Sequence, residues 1–339
     1  MKQIIKKGLV LTLIISVVGY SANAQAKKRT ATKRNTTQQT TNAQSKANVQ
    51  PMVVDTVVVP PLPDSMPMQF VKPSLRPNSA IERNLITDRT PLAYEHLRED
   101  DAVYRQKIWR DIDTREKMNL PFRYAADEDN GNQRFISILF KAIQDGPDNG
   151  GVTVFSGVDD RFTTPLTVGQ VSKAVAGEPV IVPQYDSVGN ELPPIVRPPE
   201  VNLDSFYKFR IKEEVIFDKE SSRLFWRIIG IAPLKNTITS TGIDLGETEL
   251  FWVYYPEMRP IFAKYEVYNG KNYGARMSWE ELFESRMFYG RIIKSTLDNP
   301  YDQYLRNQTG LDGKPILQLL EGERIKEKIF NYEQNLWSY

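Results

Sequence analysis

Very few residues of this chain could move a proton near neutral pH: there is one histidine, His96, and no cysteine. General acid–base and nucleophilic chemistry draw on groups that titrate near pH 7 or are activated by one that does. A Ser-His-Asp triad would have to use His96, and no Gly-x-Ser-x-Gly turn is present to lift a serine toward it. Phosphate cradles are missing as well, since Gly310 and Gly313 stand too close together before Lys314 for a P-loop. Asp127, Asp129 and Asn132 superficially match a calcium loop, but Gly131 takes a ligand position and Ile138 stands where the closing glutamate belongs. The adjacent acids Asp100-Asp101 and Asp159-Asp160 point in different directions on a helix or a strand, so a working carboxylate pair would need residues distant in sequence. The residues therefore assign no catalytic site, no cofactor and no metal, and the expectation is a protein that is not an enzyme.

Recognition chemistry is better represented. Between Phe251 and Tyr273 lie eight aromatic side chains with Arg259 and Lys264 interleaved. Aromatic residues and arginine anchor protein interfaces because they bury much area at low entropic cost. The interface candidates are Trp109, Tyr254, Tyr255, Arg259, Tyr265, Tyr268 and Tyr273, with about half of the aromatic run expected in the core. Another reading of the same residues is a glycan-binding module, with rings stacked on sugars; a two-carboxylate hydrolase, built from acids distant in sequence, is the third.

The elements that must position these residues follow from periodicity. Leu97, Val103, Ile108, Trp109 and Ile112 among charges predict an amphipathic helix from about Tyr94 to Met118, ended by Asn119-Leu120-Pro121. A second helix is predicted over Gln133 to Ile143. Aromatic and β-branched runs at Phe206 to Glu214, Leu224 to Ile231 and Leu250 to Tyr255 predict strands, and alternation over Ile261 to Tyr268, stopped by Asn269-Gly270, predicts a fourth. Ser278 with Glu281 forms a capping box for a helix from Trp279 to about Leu297. A C-terminal helix is predicted over Ile316 to Leu336. Residues 153–199, with a short strand at Val180 to Gln184 and prolines at 193, 194, 198 and 199, read as a Pro/Gly-rich excursion. The fold class expected is α+β, a mostly antiparallel sheet packed against several amphipathic helices, in a single domain over 81–339.

The N-terminal quarter is of another kind. Lys2, Lys6 and Lys7, an apolar run from Leu9 to Val18 and Ala22-Asn23-Ala24 have the order of a secretory signal peptide over 1–24, with cleavage expected after Ala24. The apolar run falls short of the roughly 20 residues a spanning helix needs. With no cysteine, lipid attachment at a new N-terminus is chemically closed, so attachment to a membrane has to come from partners. Residues 25–50 are a basic, low-complexity leader whose composition cannot offset the entropy of ordering. Residues 51–80 carry seven prolines between Pro51 and Pro77 around the Val-rich strand candidate Met52 to Val59 and read as an extended arm. Residues 1–50 hold nine basic residues and no acid, leaving 35 basic against 42 acidic residues for the rest, a mildly acidic body. An exported acidic body argues against nucleic acid as a partner.

Several ordered segments resemble a known family. They are Ile108-Trp109-Arg110-Asp111-Ile112, Glu116-Lys117-Met118-Asn119, Arg227-Ile228-Ile229-Gly230-Ile231-Ala232-Pro233, Leu250-Phe251-Trp252-Val253-Tyr254-Tyr255-Pro256 running into Arg259-Pro260, and Ala263-Lys264-Tyr265-Glu266-Val267-Tyr268-Asn269. Over roughly Ile81 to Tyr304 the chain resembles the gliding-motility family GldN, called PorN in non-gliding species. The resemblance implies a periplasmic, non-enzymatic component of the Bacteroidetes type IX secretion system. It further implies a ring beneath the outer membrane built with a lipoprotein of the GldK or PorK type, and contact with the periplasmic part of the motor component GldM or PorM. The Pro-rich arm, the exposed face of the Phe251 to Tyr273 sheet and the helix Tyr94 to Met118 are the expected contact elements.

Overall fold

The computed structural model describes residues 65, 66, 68, 70, 72, 75, 76 and 80, then residues 88–337 apart from 126, 129–130, 133, 178–179, 187–190, 198–200, 239–242 and 270–275. The signal sequence, the basic leader, residues 51–64 of the arm, Gly270 and Tyr273 lie outside the described residues.

One antiparallel sheet organises the body. In chain order its strands are β1 (Ala102–Asp113), β4 (Val154–Ser156), β5 (Pro165–Leu166), β8 (Lys208–Asp218), β9 (Arg223–Ile238), β10 (Asp244–Glu249), β11 (Phe251–Tyr254) and β12 (Arg291–Ser295). They lie side by side as β12-β1-β8-β9-β11-β4-β5, with β10 pairing the far half of β9. Two separate hairpins join β2 (Asp127–Glu128) to β3 (Gly131–Asn132) and β6 (Val180–Tyr185) to β7 (Glu191–Arg197). The helices are α1 (Phe135–Asp145), α2 (Val168–Ala176), α3 (Tyr255–Phe262), α4 (Trp279–Glu284) and α5 (Pro315–Trp337). The architecture is α+β, as expected from the sequence.

The main core lies between α1, α3, α4 and one face of the sheet. Phe135 at the start of α1 is fully buried, with ring centroids 4.9 Å from Phe209 of β8, 4.9 Å from Trp279 of α4 and 5.5 Å from Phe262 of α3. The arm contributes too: Met66 is buried in this core, with its backbone N–H donated to the Gln144 side chain at 2.6 Å. A second cluster, Ile108, Val215, Ile292, Leu305, Ile325 and Ile329, holds α5 on β12 and the near ends of β1 and β8. Tyr332 of α5 stacks on Tyr104 of β1 at 4.1 Å.

The expected helix over Tyr94 to Met118 is replaced by β1, and the physical reason is double burial. β1 is paired on both sides, by β8 in near-continuous register and by β12. Ile108, Trp109 and Arg110 are buried consecutively because the two faces of the sheet are both covered there. That erases the period-2 signature of a one-sided strand. The helix expected to reach Leu297 ends at Glu284, where Arg286 takes a left-handed conformation (φ 55°) and the chain returns as β12. The strand expected over Ile261 to Tyr268 is α3 followed by turns, because Pro256 in the first turn presets helical φ; only Glu266 makes a bridge, to Ser278. The excursion over 153–199 contributes β4 and β5 to the main sheet and α2 to the core. Helices α1 and α5, the strands β8, β9 and β11 and the Ser278–Glu281 capping box fall where the sequence places them.

Between the two clusters, on the core face of the β1–β8 pair, sits an ionic triad. The Glu213 side chain is fully buried; Arg110 donates to it at 2.8 and 3.0 Å, and Arg286 donates to its other oxygen. Arg110 also reaches the Gly290 carbonyl at 3.3 Å, and a Cβ on Gly290 would lie 2.5 Å from the Arg110 Cδ, so only glycine fits there. Burial works against the Glu213 carboxylate, yet the guanidiniums of Arg110 and Arg286 outweigh it and hold its pKa below the usual range. Removing one member of a buried ionic set leaves the others uncompensated, at about 3–5 kcal/mol. Glu213→Gln should therefore lower unfolding stability by about that much at pH 7, as read by urea titration. A depressed carboxylate pKa contributes stability above the unfolded-state value of about 4.3 that is lost as pH falls through the folded value. The gap between wild type and Glu213→Gln should thus narrow on acidification below about pH 4.3; a constant gap would refute this assignment.

Candidate interaction face

The opposite face of the sheet is built from charges and rings. Antiparallel pairing sets Lys208, Arg210 and Lys212 of β8 directly across from Asp113, Asp111 and Trp109 of β1. Residues facing each other across a pair share a side, so period 2 alone makes this row. Arg210, nearly buried, donates twice to Asp111 at 2.7 and 2.9 Å and once to Glu249 of β10. The Tyr304 hydroxyl donates to Glu249 at 3.2 Å, and its ring lies 5.2 Å from the Arg210 Cζ. Burial raises the Asp111 pKa although the Arg210 guanidinium opposes it. Burial, with the Glu249 carboxylate adding to it, pushes Tyr304 up to about 12.

Trp109 is the centre of the next layer. Its indole N–H donates to Asp160 at 2.7 Å, while Lys294 of β12 stands 4.3 Å and Lys212 5.5 Å from its ring. Cations held over an indole are attracted by its quadrupole. Lys212 also donates to the Asp160 carbonyl at 2.6 Å, and Lys294 pairs with Asp302 at 2.8 Å. Asp160 belongs to the turn between β4 and β5, which folds over the sheet. Phe162 in that turn has φ 59° and lays its ring on Gly230 of β9; a Cβ there would come within 2.7 Å of the ring. Burial lowers the Lys212 pKa, with Asp160 opposing.

Beside this lattice runs a groove of about 650 Å³, lined by Asp111, Arg210, Tyr304 and Arg306 and by Pro315 and Leu319 of α5. A third cluster lies at the sheet's other end. Arg259 of α3 donates to Glu280 at 2.7 Å and stacks its Cζ 3.6 Å from the Tyr94 ring, whose other close cation is Arg227 at 3.9 Å. The hydroxyls of Tyr94 and Tyr255 both donate to Glu284, the second at 3.1 Å. Burial, with the Glu284 charge adding to it, raises both phenols far above their usual range.

The sequence candidates fall in different places. Trp109 and Tyr255 are buried, Arg259 is nearly so, and Tyr254 is half-buried edge-on to Phe162. Tyr265 packs on the main core, and Tyr268 is exposed and stacked on Tyr124 at 3.7 Å. The structure therefore joins Arg259 to Tyr255 through Glu280 and Glu284, and sets Trp109 apart on the other face. Residues that sequence reasoning passed over are Asp111, Arg210, Lys212, Lys294 and Tyr304. The readable signal was the alternation of cations with apolar residues in Lys208-Phe209-Arg210-Ile211-Lys212. His96 is exposed in the extended segment before β1.

The carboxylates and cations named in the two layers over Trp109 and Tyr304 are tied to neighbours on adjoining strands and turns. Among the described residues no helix is long and apolar enough to cross a membrane. Fold and face together define an α+β protein whose distinctive chemistry is a charged, aromatic sheet face. The chain belongs to the GldN family: residues 97–338, from just before β1 to the end of α5, match gliding motility associated protein GldN. That makes it a member of a family of gliding-motility and type IX secretion components. No curated protein matches the chain.

The raised tyrosines fix an alkaline limit. A phenol whose folded pKa is raised favours the folded state least once the unfolded chain has ionised, so stability should fall as pH rises from about 10 toward 12. Tyr304→Phe should make that fall shallower in urea titrations between pH 9 and 11.5, while an unchanged slope would show Tyr304 to be solvated.

Proposed function

We propose that this protein is a non-enzymatic structural component of the type IX secretion and gliding machinery. It works in the periplasm, against the inner face of the outer membrane. There it builds a ring with a lipoprotein of the GldK or PorK type and touches the periplasmic domain of a GldM or PorM motor component. The observation that carries this reading is the family match over residues 97–338. Supporting it, the N-terminal sequence has the order of an export signal, and the cysteine-free chain lacks the thiol that lipid anchoring needs, so a lipidated partner would supply the membrane tether. The face around Arg210 and Trp109 is buried and tied within the subunit, so it supports the reading by fixing the shape of the body rather than as a docking surface itself. Sugar stacking is a weaker reading for this face, since the Trp109 ring is already held between Lys294 and Lys212.

The test is affinity purification of the tagged protein from gently solubilised native envelopes, with mass spectrometry and electron microscopy of the product. Large rings containing a lipoprotein and lost after deletion of that lipoprotein are expected. A lone monomer that instead pellets with purified peptidoglycan would overturn the reading in favour of a glycan-binding module.

A further inference from the structure

The groove beside Tyr304 carries more positive charge than its own ion pairs consume. Its walls come from β1, β8, β9, β10 and β12 and from the start of α5. Five cations line it, Arg115, Lys208, Arg210, Arg291 and Arg306, against three acids, Asp111, Asp113 and Glu247. Each of these acids is held by a lining cation: Asp111 by Arg210 at 2.7 Å, Asp113 by Arg115 at 2.6 Å and Glu247 by Lys208 at 2.6 Å. Arg291 reaches Glu116 at 2.7 Å through one nitrogen, and Arg306 makes no ion pair among the described residues. Arg115, Arg291 and Arg306 are all exposed. A guanidinium is a multiple donor, so Arg115 and Arg291 keep donors beyond those their partners use, and Arg306 spends none on a carboxylate.

The same groove has an aliphatic border. Leu319 lines it, and Ile316, Leu319 and Leu320 stand at i, i+3 and i+4 of α5, a single strip of the helix surface. They are exposed by 72, 40 and 58 %. Scattered surface aliphatics need no explanation, but a strip continuous with a groove marks a contact site. Surplus cations beside an apolar strip match a ligand that carries acids on one side and aliphatic side chains on the other. We propose that the groove receives an acid-bearing aliphatic segment of a partner protein, its carboxylates on Arg306 and Arg291 and its apolar side chains on Leu319 and Ile316.

The geometry favours a polypeptide over other anions. Arg115, Arg291, Arg306 and Leu319 line the groove while remaining exposed, so it is an open trough with one charged wall. An acyl chain would lie against that charged wall, and a small free anion would leave the aliphatic strip bare. At about 650 Å³ the trough has the size of sites that take a compact group of atoms, here a short run of side chains. Its floor is set before anything docks: Arg210 is nearly buried and held by Asp111 and Glu249 under the Tyr304 ring. Docking therefore has to order only a few exposed side chains. Arginine suits the rim, because its planar fork pairs with a carboxylate through two parallel hydrogen bonds. This inference rests on the assembly reading above and gives one of its protein contacts a chemical description.

Benzoylphenylalanine would be incorporated at Leu319 of the full-length chain in the native host and, as a control, at Val158, which is exposed by 97 % in the turn between β4 and β5. After irradiation the cross-linked peptides are mapped by mass spectrometry. The expected product joins position 319, but not 158, to a segment of another envelope protein in which Asp or Glu stands among aliphatic residues. Arg306→Glu should lower its yield about tenfold, the loss expected for a hydrogen bond to a charged group, and Arg306→Lys should give an intermediate yield. Because Arg306 holds no ion pair, neither change should move the urea midpoint. Cross-links to lipid, to a second copy of this chain or to a segment without acids would overturn the inference. So would a yield indifferent to Arg306→Glu, or no cross-link from position 319 in assembled protein; rings found with the groove unfilled leave the assembly reading standing. The expected product without rings would sustain the groove contact and sink the ring.

Discussion

The fold depends on β8 carrying charge to both sides of the sheet at its centre. On one side Glu213 is sealed from water and held by Arg110 and Arg286. On the other, Arg210 and Lys212 are nearly buried against Asp111, Glu249, Asp160 and Trp109. Burying a charge is tolerable only when it is paired and hydrogen-bonded. That requirement fixes β1 beside β8 in register, brings the α4–β12 turn over the triad and forces glycine at 290. The triad also divides the hydrophobic interior, leaving a phenylalanine-rich core under α1, α3 and α4 and a smaller aliphatic one under α5.

Such a centre ties the middle of the sheet to the elements on both of its faces. The turn carrying Asp160 and Phe162 clips the far face, and α5 runs from the groove at Leu319 across the β12 edge to Tyr332 on Tyr104. An edge strand left open would recruit other strands; here the close approach of Gly322 to Ile292 covers it with a helix. The family to which the chain belongs is one of gliding-motility and type IX secretion components.

Much was determined by the amino-acid sequence alone. The α+β class, the strands at β8, β9 and β11, the helices α1 and α5 and the Ser278 cap are local matters of periodicity, propensity and capping, so short windows contain them. The family resemblance rests on contiguous segments for the same reason. Tertiary structure decided the rest. Whether Leu97 to Ile112 became helix or strand depended on β8 and β12 lying on either side, which buried both faces and removed the alternation that marks a strand. Whether Trp279 to Leu297 ran on as helix depended on Arg286 being drawn to Glu213, a residue 73 positions away. Trp109 and Arg259, expected at an interface, are buried, and their partners Lys294, Asp160 and Glu280 are brought together only by sheet pairing and helix packing. Charges on separate elements acquire their meaning from distance, and distance between remote residues is set by the fold.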